Sequence, residues 1–418
     1  MRKFSRNMLS AAVGAVILGL GSAAQAADTI KIALAGPTTG PVAQYGDMQM
    51  MGAKMAVEQI NAKGGVNGKK LEAIVMDDAC EPKQAVAVAN QIVNQKIKFV
   101  IGHLCSGSTQ PASKLYEDEG IFMITPAATN PAITQQKYKM VFRTIGTDDQ
   151  QGPTAGKYIA NKVKPKKLAI IHDKQQYGEG IAKEVDKTVK AAGITPVLFE
   201  GINKGQTDFS ALITKMKKDG VDFVYYGGYH PELGLLLRQS REQGFDAKYM
   251  GPEGVGNKDI SAIAGPASEG LLVTLPADFS ADPANAELVK AFKAKNEDPT
   301  GPFVMPAYAG VQIIADSIKA TKTEDAVKIA DYVRKNSFQT PIGKVAFKEN
   351  GDLKEFEFVV FNWHADATKT PVDAAKTVSA AAQTAADAVD TAKTAADTAK
   401  TAVDAAKSAV DAVKPPAQ

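Results

Sequence analysis

The chain has 418 residues, 44% hydrophobic and 23% charged, with a formal net charge of +3 at pH 7. So small a net charge on a chain of this length gives no footprint for nucleic acid or for an anionic membrane surface. The four histidines, His103, His172, His230 and His364, are scattered without metal-ligand spacing, so no metal or other cofactor is expected.

The first residues carry Arg2, Lys3 and Arg6, then an apolar run from Met8 to Leu20, then the small-x-small triplet Ala24-Gln25-Ala26. This pattern predicts a secretory signal peptide over residues 1–26, with an apolar run shorter than the roughly 18 residues a spanning helix needs. No cysteine follows that run, so a lipid anchor has no attachment point and a free periplasmic protein starting near Ala27 is expected. Two cysteines, Cys80 and Cys105, occur in the chain. In an oxidising compartment they read as one disulfide, with two buried thiols as the alternative.

Short β-branched runs then alternate with longer amphipathic stretches. Ile30 to Ala35, Leu71 to Met76, Phe99 to Ile101 and Ile121 to Ile124 read as strands. Asp47 to Lys63 and Lys83 to Lys96 read as helices, the second opening after Pro82, and Gly64 to Gly68 as a turn. After about residue 147 the pattern restarts. Strands are expected at Leu168–Ile171, Pro196–Phe199, Phe223–Tyr226 and Lys248–Met250, and helices at 178–192, 208–218 and 233–243. A helical stretch follows from Asn285, then an expected hairpin of Gly343–Phe347 with Lys354–Phe361 around Glu349-Asn350-Gly351-Asp352. Two successive βα series predict two α/β lobes with parallel sheets covered by helices, and a chain that crosses between them more than once.

From about Pro371 the composition changes to Ala, Val, Thr, Asp and Lys. Residues 387–414 form four heptads, DAVDTAK, TAADTAK, TAVDAAK and SAVDAVK, with Asp390, Asp397, Asp404 and Asp411 each three positions before a Lys. This Ala-rich tail is expected to be helical, as a solvated spacer or, alternatively, as a small-residue coiled coil that mediates self-association.

Enzyme signatures are missing. Gly64 to Lys70 lacks phosphate-loop spacing, and Ser106 sits in His103-Leu104-Cys105-Ser106-Gly107 rather than in a nucleophile elbow. What recurs is a polar or aromatic cluster just past a strand: Ser106, then Thr125 to Thr129, Tyr177, Tyr229 and Glu253. Ligands bind at that edge of parallel sheets, so clusters from two lobes can converge on one crevice. The set suits an α-amino acid. Ser106 and N–H groups around Ala127 and Thr129 offer donors for a carboxylate. Glu253, the Thr129 hydroxyl and the Ala127 carbonyl offer acceptors for an ammonium. Tyr45, Tyr177, Tyr229 and Phe303 would wall an apolar slot.

At these residues the chain resembles the leucine/isoleucine/valine-binding proteins, the substrate-binding subunits of ATP-driven branched-chain amino acid importers. The matching stretches include GPVAQYGD (40–47), DDACEPKQAVAVAN (77–90), IGHLCSGSTQPAS (101–113), MITPAATNP (123–131), HDKQQYGEG (172–180), DFVYYGGYHPE (222–232), MGPEGV (250–255) and FVVFNWHA (358–365). The resemblance implies a two-lobed, type I periplasmic binding protein with three crossing segments, a Cys80–Cys105 disulfide and closure over the ligand. It implies lobe limits of 27–147 with 276–354, and 148–275 with 355–370, ahead of the tail at 371–418. By matching motif it implies head-group contacts from Ser106, Ala127, Thr129, Glu253 and Tyr229. The side-chain pocket it implies is formed by Tyr45, Leu104, Cys105, Ala128, Tyr177 and Phe303. The expected partners are an amino acid and the permease subunits of the importer, with no catalysis. A sensory module and an amide-sensing or enzymatic role are the alternatives, and neither has a supporting domain or catalytic constellation in the chain.

Overall fold

The structure is a computed structural model that describes residues 29–372, so the expected signal peptide and the heptad repeats lie outside the described residues. The first series runs β1 (Ile30–Gly36), α1 (Ala43–Ala62), β2 (Leu71–Asp77), α2 (Pro82–Asn94), β3 (Phe99–Gly102), α3 (Ser106–Asp118), β4 (Phe122–Thr125), α4 (Ala132–Gln135) and β5 (Val141–Arg143). Its strands form one parallel sheet in the order β2-β1-β3-β4-β5. Side chains alternate along each strand, so each strand serves two cores. Ile32, Leu34, Ile101 and Ile124 pack on α1 and the later helices, while Ala33, Ala35, Val100 and Met123 pack on α2 and α3. A sheet buried on both faces needs the near-continuous apolar runs seen in the sequence.

The second series runs α5 (Asp148–Tyr158), β6 (Leu168–His172), α6 (Gln176–Ala191), β7 (Leu198–Gly201), α7 (Ser210–Lys218), β8 (Phe223–Gly227), α8 (His230–Glu242), β9 (Lys248–Gly251), α9 (Lys258–Ala264) and β10 (Leu271–Pro276). The chain then returns to the first lobe as α10 (Ala286–Ala294), α11 (Val304–Thr321), α12 (Ala326–Lys335), β11 (Ser337–Thr340) and β12 (Gly343–Ala346). It ends in the second lobe with β13 (Phe358–Trp363) and β14 (Lys369–Pro371). The second sheet has the order β14-β13-β10-β9-β8-β6-β7, and β13 runs antiparallel to β10. The chain therefore passes between the sheets between β5 and α5, between β10 and α10, and between β12 and β13. Among the described residues, no helix is long and apolar enough to cross a membrane.

Two expectations need correction. The hairpin expected between 343–347 and 354–361 does not form as such: β12 pairs with β11, in the register Thr340↔Gly343 to Ser337↔Ala346. Only Phe347 and Leu353 bridge across the Glu349–Asp352 turn, after which β13 leaves for the second sheet. Phe358 to Phe361 find their partners on β10, far off in sequence, and local turn chemistry carries no information about that pairing. The first helix also starts at Ala43 rather than Asp47, which places Tyr45 in its first turn. Gly46 argues against a helix on propensity, but a Cβ there would stand 1.6 Å from the Pro37 carbonyl oxygen, so the close backbone approach of the β1 loop selects glycine.

The same helix crosses α11 closely. A Cβ on Gly52 would stand 1.9 Å from the Val304 carbonyl oxygen, a backbone atom that cannot rotate away. Gly52→Ala is expected to destabilise the first lobe by about 2 kcal/mol through overpacking. A thermal melt within error of the parent would show that the two helices separate freely.

Candidate functional site

Every polar or aromatic cluster picked from the sequence lies where a strand hands over to a helix. Ser106 opens α3 after β3, Ala127 to Thr129 follow β4, and Tyr177 sits in the first turn of α6 after β6. Tyr229 precedes α8 after β8, and Glu253 follows β9. Parallel strands place all these handovers on one edge of each sheet, and the two edges face each other. Helix starts at that edge turn backbone N–H groups and the positive dipole end toward the crevice.

The lobes meet around it. Tyr45 Oη donates to the Glu253 carbonyl at 3.2 Å, and Thr129 Oγ1 lies 3.4 Å from Glu253 Oε1. Asn130 Nδ2 donates to the Gln176 carbonyl at 3.0 Å. On the rim, Gln44 bonds Asp259 at 2.8 Å, Lys258 pairs with Asp298 at 2.6 Å, and Lys204 pairs with Glu81. Within this contact an apolar cluster gathers Val42, Tyr45, Leu104, Cys105, Ala127 and Phe303, with Tyr229 packed against it. The Tyr177 and Tyr229 rings are 5.1 Å apart, and Phe303 stands edge-on to Tyr45 at 5.4 Å. Four aromatic rings with few rotatable bonds make a stiff wall.

Ala128 is not part of that wall. Its methyl belongs to the first lobe's core cluster with Ile133 and Val141. Its carbonyl is what the site uses, as an anchor described below.

The head-group side is acidic and buried. Glu253 is 2% exposed, and its Oε2 has no hydrogen-bond partner. Burial pushes its carboxyl up to about 7, against the partial help of Gln151, Tyr177 and Thr129 side chains around it. Sequence reasoning missed a second carboxyl here. Asp148, at the start of α5, is fully buried with neither oxygen partnered. Burial first, and the charge of Glu253 second, hold it well above the usual carboxylate range. Both carboxyls face Thr129, and the buried Arg143 guanidinium offsets part of the charge on Asp148 without an ion pair to either carboxyl. Nearby His230 is pushed down to about 4 by burial, so its ring, 5.4 Å from Tyr45, is neutral at pH 7. Asp148 stands in an ordinary capping sequence, and no local pattern distinguishes it from any acidic first-turn residue.

Cys80 and Cys105 form a disulfide, with Cα atoms 5.5 Å apart. It ties the loop after β2 to the start of α3 beside Ser106, and both sulfurs belong to the interlobe cluster. Closing this 25-residue separation constrains the unfolded chain by about 3 kcal/mol. Replacing both cysteines with serine should lower stability by that order, read as a fall in the denaturation midpoint that reducing agent reproduces in the parent. An unchanged midpoint would mean that the bridge constrains nothing the fold does not already fix.

Residues 29–368 match the family model described as periplasmic binding protein. The chain is 60% identical over 372 residues to the leucine-, isoleucine-, valine-, threonine-, and alanine-binding protein of Pseudomonas aeruginosa, covering 89% of this chain and 100% of that one. It is 54% identical to the Leu/Ile/Val-binding protein of Escherichia coli K12, covering 85% and 96%. Among solved structures, the branched-chain amino acid transporter substrate-binding protein of Streptococcus pneumoniae in complex with isoleucine superposes with a TM-score of 0.76 at 27% identity, covering 82% of this chain and 99% of that one. The two-lobed fold, the crevice at the strand ends and these matches agree, and the chain belongs to the periplasmic binding protein family, among its Leu/Ile/Val-binding members.

Proposed function

We propose that the crevice captures a branched-chain aliphatic L-amino acid, leucine, isoleucine or valine, and that the closed, loaded protein delivers it to an ATP-driven importer from the periplasm. The observation that carries this reading is the buried, unpaired carboxyl pair of Glu253 and Asp148 beside an apolar aromatic cluster. An ammonium is the complement of the first, and an aliphatic side chain is the complement of the second. Ser106 and the N–H groups at the start of α3 and around Thr129 receive the carboxylate. The names of the relatives point the same way. No step of chemistry is needed: contacts to both lobes shift the population from open to closed, and the importer reads the closed form.

The lobe limits that fit this reading are 27–147 with 276–354, and 148–275 with 355–370. Pro371 and Val372 still belong to the second lobe, and the heptad segment at 387–414 serves as a spacer or as a self-association element.

Titration calorimetry on the protein stripped of endogenous ligand tests the proposal. Saturable heat with leucine, isoleucine and valine is expected, and none with a dicarboxylic or basic amino acid. The three ligands differ by a methylene or its placement, worth about 0.8 kcal/mol, so their affinities should fall within about tenfold of one another. Failure of all three to bind would defeat the reading.

A further inference from the structure

Arg143, at the end of β5, is fully buried, and recognition as described so far gives it no role. Its Nη1 donates to the Ala128 carbonyl at 2.7 Å, and its Nη2 donates to the Asn130 carbonyl at 3.2 Å and to the Thr134 hydroxyl at 2.8 Å. Its Nε lies 2.8 Å from Asp352 Oδ1, in the turn before the last crossing. Thr134 Oγ1 also donates to that oxygen at 2.8 Å, and the Arg143 N–H donates to the Gly351 carbonyl at 3.1 Å. One guanidinium therefore fastens the loop after β4 to the segment that leads into the second lobe.

The consequence follows from peptide planarity. In a trans peptide the carbonyl of one residue and the N–H of the next point in opposite directions. Holding the Ala128 carbonyl against the guanidinium turns the Thr129 N–H away from it. The next peptide is fixed as well: the Thr129 carbonyl accepts the Asp148 N–H at 2.9 Å, and the Asn130 N–H reaches Ser106 Oγ at 3.3 Å. The third is held by the Asn130 carbonyl on Nη2.

We infer that Arg143 is a positioning residue for ligand binding: by pinning the carbonyls of Ala128 and Asn130, it aims the Thr129 N–H at the amino acid's carboxylate without touching the ligand. This rests on the amino-acid reading of the cleft. A lysine cannot substitute, because one ammonium cannot reach two carbonyls and a hydroxyl in the fixed fork of a guanidinium.

The test compares the parent, Arg143→Lys and Thr134→Val by leucine calorimetry, and follows the Thr129 amide proton by NMR on leucine addition. Thr134→Val keeps the guanidinium and removes one of its acceptors, so it remains informative if Arg143→Lys folds poorly. The expected result is a downfield shift of the Thr129 amide in the parent. Arg143→Lys should lose affinity by 30-fold or more and largely lose that shift. Thr134→Val should lose affinity about threefold with the shift reduced. Folded variants that keep parental affinity, or that lose affinity while the amide shift is unchanged, would overturn the positioning role. A parent that fails to bind leucine would instead overturn the functional reading itself.

Discussion

Replacing Glu253 with Gln is expected to weaken leucine binding by about 3 kcal/mol, or about a hundredfold, the usual loss when one member of a buried charge pair is removed. The substitution keeps the shape of the side chain, so the loss reports charge rather than packing. It carries an opposite signature in the ligand-free protein. Glu253 is buried with an unpartnered oxygen beside a second buried carboxyl, so its charge destabilises the folded protein. Glu253→Gln should therefore melt at or above the parent's temperature at pH 8 without ligand, while gaining almost nothing when leucine is added. Such a trade of binding against stability is expected of a site whose buried charge serves binding rather than folding. A variant that binds like the parent would return Glu253 to the status of a loop residue.

Affinity should also depend on pH in a stated direction. Burial, the leading cause, pushes the Glu253 carboxyl up to about 7 from its ordinary 4.5. The folded state thus holds the proton more tightly than the unfolded chain. The corresponding stability is full below 4.5, drains as pH rises, and is gone above about 7. An ammonium reverses this, since it binds the ionised form. Leucine affinity is therefore expected to be level above pH 7 and to fall by up to tenfold per unit below it, as binding must first expel a proton. The ligand-induced rise in melting temperature should shrink between pH 8 and pH 5. Calorimetry in buffers of different ionisation enthalpy at pH 6 should register proton release on binding. A flat affinity from pH 8 to pH 5 would mean that the carboxyl is already charged in the empty protein.

The strands and helices of both lobes were legible because a parallel sheet covered on two faces demands runs such as Leu168–His172, and such runs alternate with amphipathic stretches. The site was legible for a related reason. Residues just past a strand's carboxyl end share one edge, so Ser106, Thr129, Tyr177, Tyr229 and Glu253 could be placed together without distances. Local pattern could not supply long-range pairing or burial. Phe358 to Trp363 look like a hairpin arm, yet they belong beside β10, and only the second sheet decides that. Arg143 and Asp148 look like ordinary surface charges in sequence, and only the packing around them shows that each is enclosed. Ala128 shows the converse: its neighbours belong to the site, but its methyl is buried in the core of the first lobe.

A crystal of the protein grown with leucine addresses the central idea most directly, namely that one charged head group is gripped by both lobes at once. The ammonium nitrogen should lie about 3 Å from the Glu253 carboxylate and the Thr129 hydroxyl, with the carboxylate on Ser106 and the Thr129 N–H and the isobutyl group among Tyr45, Tyr177 and Phe303. Leucine bound outside this crevice, or held by one lobe with Glu253 turned away, would contradict it.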